Sequence, residues 1–251
     1  ARYGVAMAAS RVRRGPNDVL GRINSPLALA VPDIQAAVGP DVDGLIITKA
    51  RGADHIRLLD ELVSECEQRA GLAEGHTRFY LLVETPDALP QAEAIGRAST
   101  RAVAMSLGAE DFALAIGAEP SEAALAVPKA LLLHAARAAG LMPLGLTGTL
   151  AGFGDVEAFR AMARRSRAMG FEGASCINPA QVAPLNEAFT PSAEDLAYAA
   201  RVIEADRQAA SQGLGAVALD GRMVDVPIVL RAQRLLARAE AIAARAAMAR
   251  R

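Results

Sequence analysis

Short apolar runs of strand length recur along this chain, each separated from the next by a longer stretch of helical periodicity, and that alternation constrains the fold most. The runs lie at residues 19–24, 44–49, 79–84, 103–107, 142–146 and 173–177. Between the second and third, residues 54–70 set Ile56, Leu59, Leu62, Val63 and Cys66 on one helical face, with Asp60, Glu61, Glu65 and Glu67 largely elsewhere. That is the pattern of a helix half-sunk in a core. Residues 88–97, 121–139, 156–169 and 192–210 read the same way. Ser121 and Asp155 are placed as N-caps, and Gly140, Gly170 and Gly213 as left-handed residues at helix ends. Strands alternating with helices predict a parallel sheet or barrel. With 251 residues, 52% of them hydrophobic and no Trp, one large α/β domain filled by Leu, Val, Ile and Ala is expected.

Two of these runs end in a carboxylate where a helix should begin: Tyr80-Leu81-Leu82-Val83-Glu84-Thr85-Pro86 and Met105-Ser106-Leu107-Gly108-Ala109-Glu110-Asp111. In a parallel α/β fold the carboxyl ends of the strands line the site. Glu84 and Asp111 there offer hard oxygen ligands for Mg²⁺, which takes one or two protein carboxylates. The competing reading is that Glu84 caps a helix starting near Thr85 and that Glu110 and Asp111 merely favour a helix N-terminus. Arg22 and Asn24 close the first run and Lys49 the second. A guanidinium at Arg22 suits a carbonyl or carboxylate oxygen, or a structural ion pair, and Lys49 can serve as a point charge.

Other chemistries are disfavoured. The 27 basic and 28 acidic residues nearly cancel, so neither a nucleic-acid surface nor a polybasic membrane patch is suggested, and no apolar run reaches the length of a membrane span. Cys66 and Cys176 match no zinc or redox spacing and fit a reducing cytoplasm. His55, His76 and His134 lie near no nucleophile motif, and the glycine-containing loop 145–150 lacks the spacing of a phosphate cradle. Residues 1–14, Arg-rich and acid-free, are read as the remainder of a helix rather than a targeting segment.

Five ordered segments carry a family resemblance: Leu82-Val83-Glu84-Thr85-Pro86, Ser106-Leu107-Gly108-Ala109-Glu110-Asp111, Cys176-Ile177-Asn178-Pro179-Ala180-Gln181-Val182, Asn186-Glu187-Ala188-Phe189-Thr190-Pro191 and Gly221-Arg222-Met223-Val224-Asp225-Val226-Pro227. Together they resemble the citrate lyase beta subunit-like family of CoA-ester lyases, within the HpcH/HpaI aldolase superfamily, which includes malyl-CoA and citramalyl-CoA lyases. The resemblance implies a TIM (β/α)8 barrel with Mg²⁺ held by Glu84 and Asp111. It implies that Arg22 faces the substrate carbonyl and enolate, and that Asp225, in a C-terminal lid, is the acid/base reaching a neighbouring subunit's site. It therefore implies a homotrimer or a dimer of trimers. The substrates would be a CoA thioester and a 2-oxo acid, related by retro-Claisen cleavage. The N–H groups around Ala109, Glu110 and Asp111 would bind the oxo acid's carboxylate.

On this basis residues 1–212 are expected to form the barrel domain and residues 213–251 the lid and subunit-contact helix. Two departures stand out. Asn178 occupies the family's usual His position, which is neutral if that residue is structural and lowers affinity if it positions CoA. The family's first two strands are also not found before Ala1, so six of eight barrel strands are accounted for. The expectation is an N-terminal part outside this sequence, or a gap filled from elsewhere in the chain or by a partner. The alternatives kept open are a malyl-CoA-type thioesterase, a malate synthase-like condensation, and a citrate lyase beta-like subunit whose substrate rides on an acyl-carrier protein.

Overall fold

A computed structural model describes residues 4–13, 17–150, 154–213 and 215–248, and the chain divides into two compact units, Ala1–Phe189 and Thr190–Arg251. In the first unit the order is α1 (Val5–Val12), β1 (Leu20–Ile23), α2 (Leu27–Ala37), β2 (Gly44–Ile47), α3 (Ala53–Ala70), β3 (Arg78–Val83), α4 (Ala92–Arg97), β4 (Ala102–Leu107), α5 (Ala109–Ala115), α6 (Glu122–Ala138), β5 (Met142–Pro143), α7 (Val156–Met169) and α8 (Val182–Phe189). The strands form one parallel sheet in the order β1-β2-β3-β4-β5. Of the expected helix at 1–14, residues 1–3 and 14 lie outside the described residues.

The helix ends follow from local chemistry. Ser121 Oγ accepts the Ala124 N–H at 3.2 Å and Asp155 Oδ1 the Ala158 N–H at 2.9 Å, satisfying donors that a first turn leaves free. Gly170 ends α7 at φ +117°. Two expectations need correction. The helix foreseen over 88–97 is a 3₁₀ turn at Leu89–Gln91 followed by the short α4. The sixth strand, foreseen over 173–177, is a single bridge between Leu144 and Gly173. Pro143 brings no N–H to the ladder, and Gly145 and Gly173 bring no side chain to pack, so pairing fades at this edge.

The pleat sorts the strand residues into two faces. Leu45 and Ile47, then Phe79, Leu81 and Val83, then Met105 and Leu107 are buried with Ile34, Ile56, Leu59, Leu125 and Leu132 from the helices in one apolar cluster. The register places Arg22 beside Ile46, Ile46 beside Tyr80, and Leu82 beside Ser106 on the opposite face. At the N-terminal end of β3 and β4, Arg101 is buried with Glu67 at 2.7 Å, Ser64 at 2.8 Å and Asp60. Burial opposes Glu67's ionisation, but the Arg101 guanidinium and the N–H groups of Thr77 and Gly75 outweigh it and hold the carboxyl below its usual range.

The second unit holds α9 (Ala193–Ser211), the antiparallel pair β6 (Val217–Leu219) and β7 (Arg222–Val224), and α10 (Val226–Met248). Ser192 and Asp195 form a reciprocal capping box at the start of α9. The hairpin turns on Asp220 and Gly221, at φ +52° and +73°, the pairing that a tight turn with two left-handed residues favours. Ala199, Val202, Val224, Val229 and Ala232 make its small core. The division of the chain falls ahead of α9, so that helix groups with the hairpin and α10. No helix among the described residues is long and apolar enough to cross a membrane.

Candidate active site

The site is built on the face of the sheet turned away from the helical core. Glu84 follows β3 with the parity of Tyr80 and Leu82, and Arg22, Ile46, Tyr80, Leu82, Glu84 and Ser106 line one cavity of about 360 Å³. Glu84 does not cap a helix: its side chain is only 3% exposed, and its Oε2 accepts the backbone N–H of Lys49 at 2.6 Å. Burial pushes the Glu84 carboxyl above its ordinary range, and the nearby Asp111 charge pushes the same way. The Lys49 N–H and ammonium and Arg22 pull it back. Gly108, directly after β4, makes room for this side chain, since a Cβ there would stand 2.6 Å from Glu84 Oε1.

Asp111 lies in the first turn of α5 and meets the Lys49 ammonium at 3.0 Å. That contact raises the Lys49 pKa. Lys49 therefore joins the two strand-end carboxylates, one through its main chain and one through its side chain. It does so at φ +49°, a region that residues other than glycine enter rarely. Two carboxylates lining one cavity fit a small hard ion such as Mg²⁺, whose remaining positions water and substrate oxygens fill. Among the described residues no group of three or more His, Cys, Asp or Glu side chains is placed to hold a metal ion.

Arg22 is exposed and makes no hydrogen bond or ion pair among the described residues. It lines both the main cavity and a second one of about 610 Å³, shared with Asn24, Ser25, Lys49, Arg51 and Asp111. Asn24 is turned aside, its amide nitrogen donating to Asp33 Oδ2 at 2.6 Å. Ala109 and Glu110, at the opening of α5, line the main cavity beside Asp111. Thus Arg22, Glu84, Ala109, Glu110 and Asp111 are brought together. Asp225 belongs to the C-terminal unit, where it precedes α10 and accepts the Ile228 N–H through its main-chain oxygen at 3.0 Å. Asn178 acts locally: its Oδ1 accepts the Ala180 N–H at 2.9 Å, while Gln181 Oε1 takes the Ile177 and Asn178 N–H groups at 2.9 and 3.2 Å.

Sequence reasoning passed over two residues of the cavity. Tyr80 is buried in its wall, with its hydroxyl 2.7 Å from Ser106 Oγ and 3.3 Å from Ser175 Oγ. Burial raises its pKa, and the two serines offset part of the rise. Lys129 also lines the cavity, 3% exposed, and donates to the carbonyl oxygens of Thr147, at 3.1 Å, and Gly148. Its signal was present in the sequence: Lys129 falls on the apolar stripe of α6, with Leu125, Leu132, Leu133 and Ala136.

The chain is 34% identical to the citrate lyase subunit beta of Haemophilus influenzae over 210 residues, covering 83% of this chain and 72% of that one. It is 33% identical over 236 residues to an L-malyl-CoA/beta-methylmalyl-CoA lyase of Cereibacter sphaeroides, covering 85% of this chain and 72% of that one. Among solved structures, protein CitE from Mycobacterium tuberculosis in complex with magnesium, acetoacetate and coenzyme A superposes with a TM-score of 0.72 at 29% identity, over 96% of this chain and 86% of that one. These relatives carry the names of lyases acting on CoA esters or citrate. The family model for HpcH/HpaI aldolase/citrate lyase matches residues 2–179, a span that takes in the cavity-lining residues from Arg22 to Ile177, and the chain belongs to that family.

Proposed function

We propose that this protein is a Mg²⁺-dependent carbon–carbon lyase that cleaves a β-hydroxyacyl-CoA of the malyl-CoA or citramalyl-CoA type into an acyl-CoA and a 2-oxo acid. The observation that carries the proposal is that Glu84 and Asp111 line one cavity and are both held by Lys49, Glu84 by its backbone N–H and Asp111 by its ammonium, beside the unpaired guanidinium of Arg22. The magnesium and coenzyme A bound to the Mycobacterium tuberculosis protein support it. Glu84 and Asp111 would hold Mg²⁺, which when bound supplies Lewis-acid polarisation of the oxo acid's carbonyl oxygen.

In the retro-Claisen step the 3-hydroxyl loses its proton to a base, and the adjacent carbon–carbon bond breaks. Its electron pair passes into the thioester as an enolate. Arg22 faces that developing charge, Ala109, Glu110 and Asp111 orient the oxo acid's carboxylate through their N–H groups, and Asp225 returns a proton to the enolate carbon. For Asp225 to do so we place it in a lid over a neighbouring subunit's site, in a trimer or a dimer of trimers. The five-stranded sheet would be an arc of a (β/α)8 barrel, and the unpaired Cys66 and Cys176 suit a cytoplasmic setting.

Incubation with malyl-CoA and citramalyl-CoA tests the proposal. Acetyl-CoA with stoichiometric glyoxylate or pyruvate is the expected result. Free CoA and the free hydroxy diacid without oxo acid would make the protein a thioesterase, and formation of free malate and CoA from acetyl-CoA and glyoxylate, supplied separately, would make it malate synthase-like. The identity to citrate lyase subunit beta supports a second reading, a subunit acting on an acyl-carrier-protein thioester. Turnover of the carrier-bound but not the CoA-bound substrate would decide for it.

A further inference from the structure

We infer that Lys129 is a positioning residue: with Ser166 and Gln181 it straps residues 147–150 into the wall of the cavity, and so sets substrate affinity without touching the metal ligands. The inference deepens the lyase proposal and rests on it. The N–H of Gly145 still pairs with a backbone group, the Gly173 carbonyl, at 2.8 Å. Beyond it the stretch is held by side chains from three separate elements. Lys129 on α6 donates to the carbonyl oxygens of Thr147, at 3.1 Å, and Gly148. Ser166 on α7 accepts the Thr147 N–H at 2.9 Å and donates its own O–H to the Met162 carbonyl at 2.7 Å. Gln181, in the 3₁₀ turn Pro179–Gln181, donates to the Leu150 carbonyl at 3.2 Å while its Oε1 takes the Ile177 and Asn178 N–H groups.

All three side chains are buried, which places these bonds inside the wall and not on its surface. Gly148, Thr149, Leu150 and Ile177 line the cavity, and Gly148 is pressed so close to α7 that a Cβ there would stand 2.7 Å from Met162 Sδ. An ammonium is costly to bury, and burial lowers the Lys129 pKa from 10.5 to about 8, which still leaves most of it charged at neutral pH. An apolar residue would fill this point of the α6 stripe without that cost, as Leu125 and Leu132 do. What a cation adds is a pair of charge-assisted bonds to two carbonyls that no backbone N–H among the described residues takes up. The metal ligands stand apart from the strap, since Glu84 and Asp111 follow β3 and β4 whereas residues 147–150 follow β5.

Steady-state kinetics with malyl-CoA and citramalyl-CoA, calorimetric titration with Mg²⁺ and amide hydrogen exchange on the full chain are the test. In Lys129→Met we expect KM to rise about tenfold, the equivalent of one charge-assisted bond, with kcat within about threefold. Mg²⁺ affinity should be unchanged, and the amides of residues 146–150 should exchange faster while those of β3 stay protected. Lys129→Arg keeps a cation and its donors and should recover most of the lost affinity. Ser166→Ala removes one hydroxyl from the same strap and should raise KM by about threefold; it decides should Lys129→Met fail to fold, and an unchanged KM there would overturn the inference. A lysine that only stabilises the fold would cut the active fraction, lowering kcat at constant KM, and that result also overturns it. So would weaker Mg²⁺ binding, which would put Lys129 at the metal site, or unchanged exchange at residues 146–150. These results leave the lyase proposal standing, whereas an unaltered protein that turns over neither thioester removes both.

Discussion

The backbone N–H of Lys49 donates to Glu84 Oε2 at 2.6 Å, while the ammonium of the same residue reaches away to Asp111 at 3.0 Å. The two duties explain the left-handed backbone at this position, φ +49°. Such a conformation costs on the order of 1–3 kcal/mol and persists where surrounding contacts over-determine it. Here they do, because main chain and side chain serve different carboxylates at adjoining strand ends.

Lys49→Met keeps the N–H to Glu84 and removes the ammonium. The ion pair with Asp111 is about half exposed on both sides, so its loss should leave stability nearly unchanged. Mg²⁺ affinity should rise severalfold, since the metal no longer competes with an internal cation. Calorimetric titration with Mg²⁺ checks this, and a weaker affinity would show that Lys49 positions Asp111 instead of neutralising it.

Gly108→Ala drives a methyl group into the Glu84 carboxylate. Overpacking of this kind costs about 1–3 kcal/mol, but the main effect should be on Glu84. Mg²⁺ affinity and turnover should both fall by at least about tenfold, with only a modest drop in melting temperature. An alanine variant that binds Mg²⁺ normally would exclude Glu84 as a ligand.

Arg101→Met leaves Glu67 buried and without its guanidinium, and breaking a buried pair from one side costs about 3–5 kcal/mol. The double variant Arg101→Met with Glu67→Gln removes both charges and should recover a large part of that loss in urea unfolding. Mg²⁺ affinity should be untouched, because this cluster sits at the opposite end of the strands from Glu84.

Lys129 also leaves a mark on stability. Its pKa is lowered from 10.5 to about 8, so between those values the unfolded chain binds more protons than the folded one. Stability therefore rises with pH across that window, by on the order of 3 kcal/mol, and the full penalty is present below about pH 8. Lys129→Met should lose this rise. Urea unfolding of both proteins at pH 7.5 and pH 10 measures it, and parallel pH profiles would contradict the buried charge.

How far the sequence reveals all this depends on the range of each interaction. Ser121, Asp155 and Gly170 act within one helical turn, and their roles were legible from neighbouring residues. The convergence of Glu84 and Asp111 was legible too, because two similar strand ends one βα unit apart must come to the same edge of a parallel sheet. Helix α2 was missed: Pro32 interrupts its middle and hides the helical pattern, although the turn still forms around it. The sixth strand was overestimated because apolar content was counted while the missing donor of Pro143 was not. Lys49's double role rests on a backbone angle and on a partner 35 positions away, and no local pattern encodes either.

Along β3 the side chains serve alternately two masters: Phe79, Leu81 and Val83 enter the apolar cluster, while Tyr80, Leu82 and then Glu84 face the cavity. Inserting or deleting one residue within the strand would exchange the two sets, sending the carboxylate into oil and a phenyl ring into the reaction space. Drift in this strand is thus confined to like-for-like replacement.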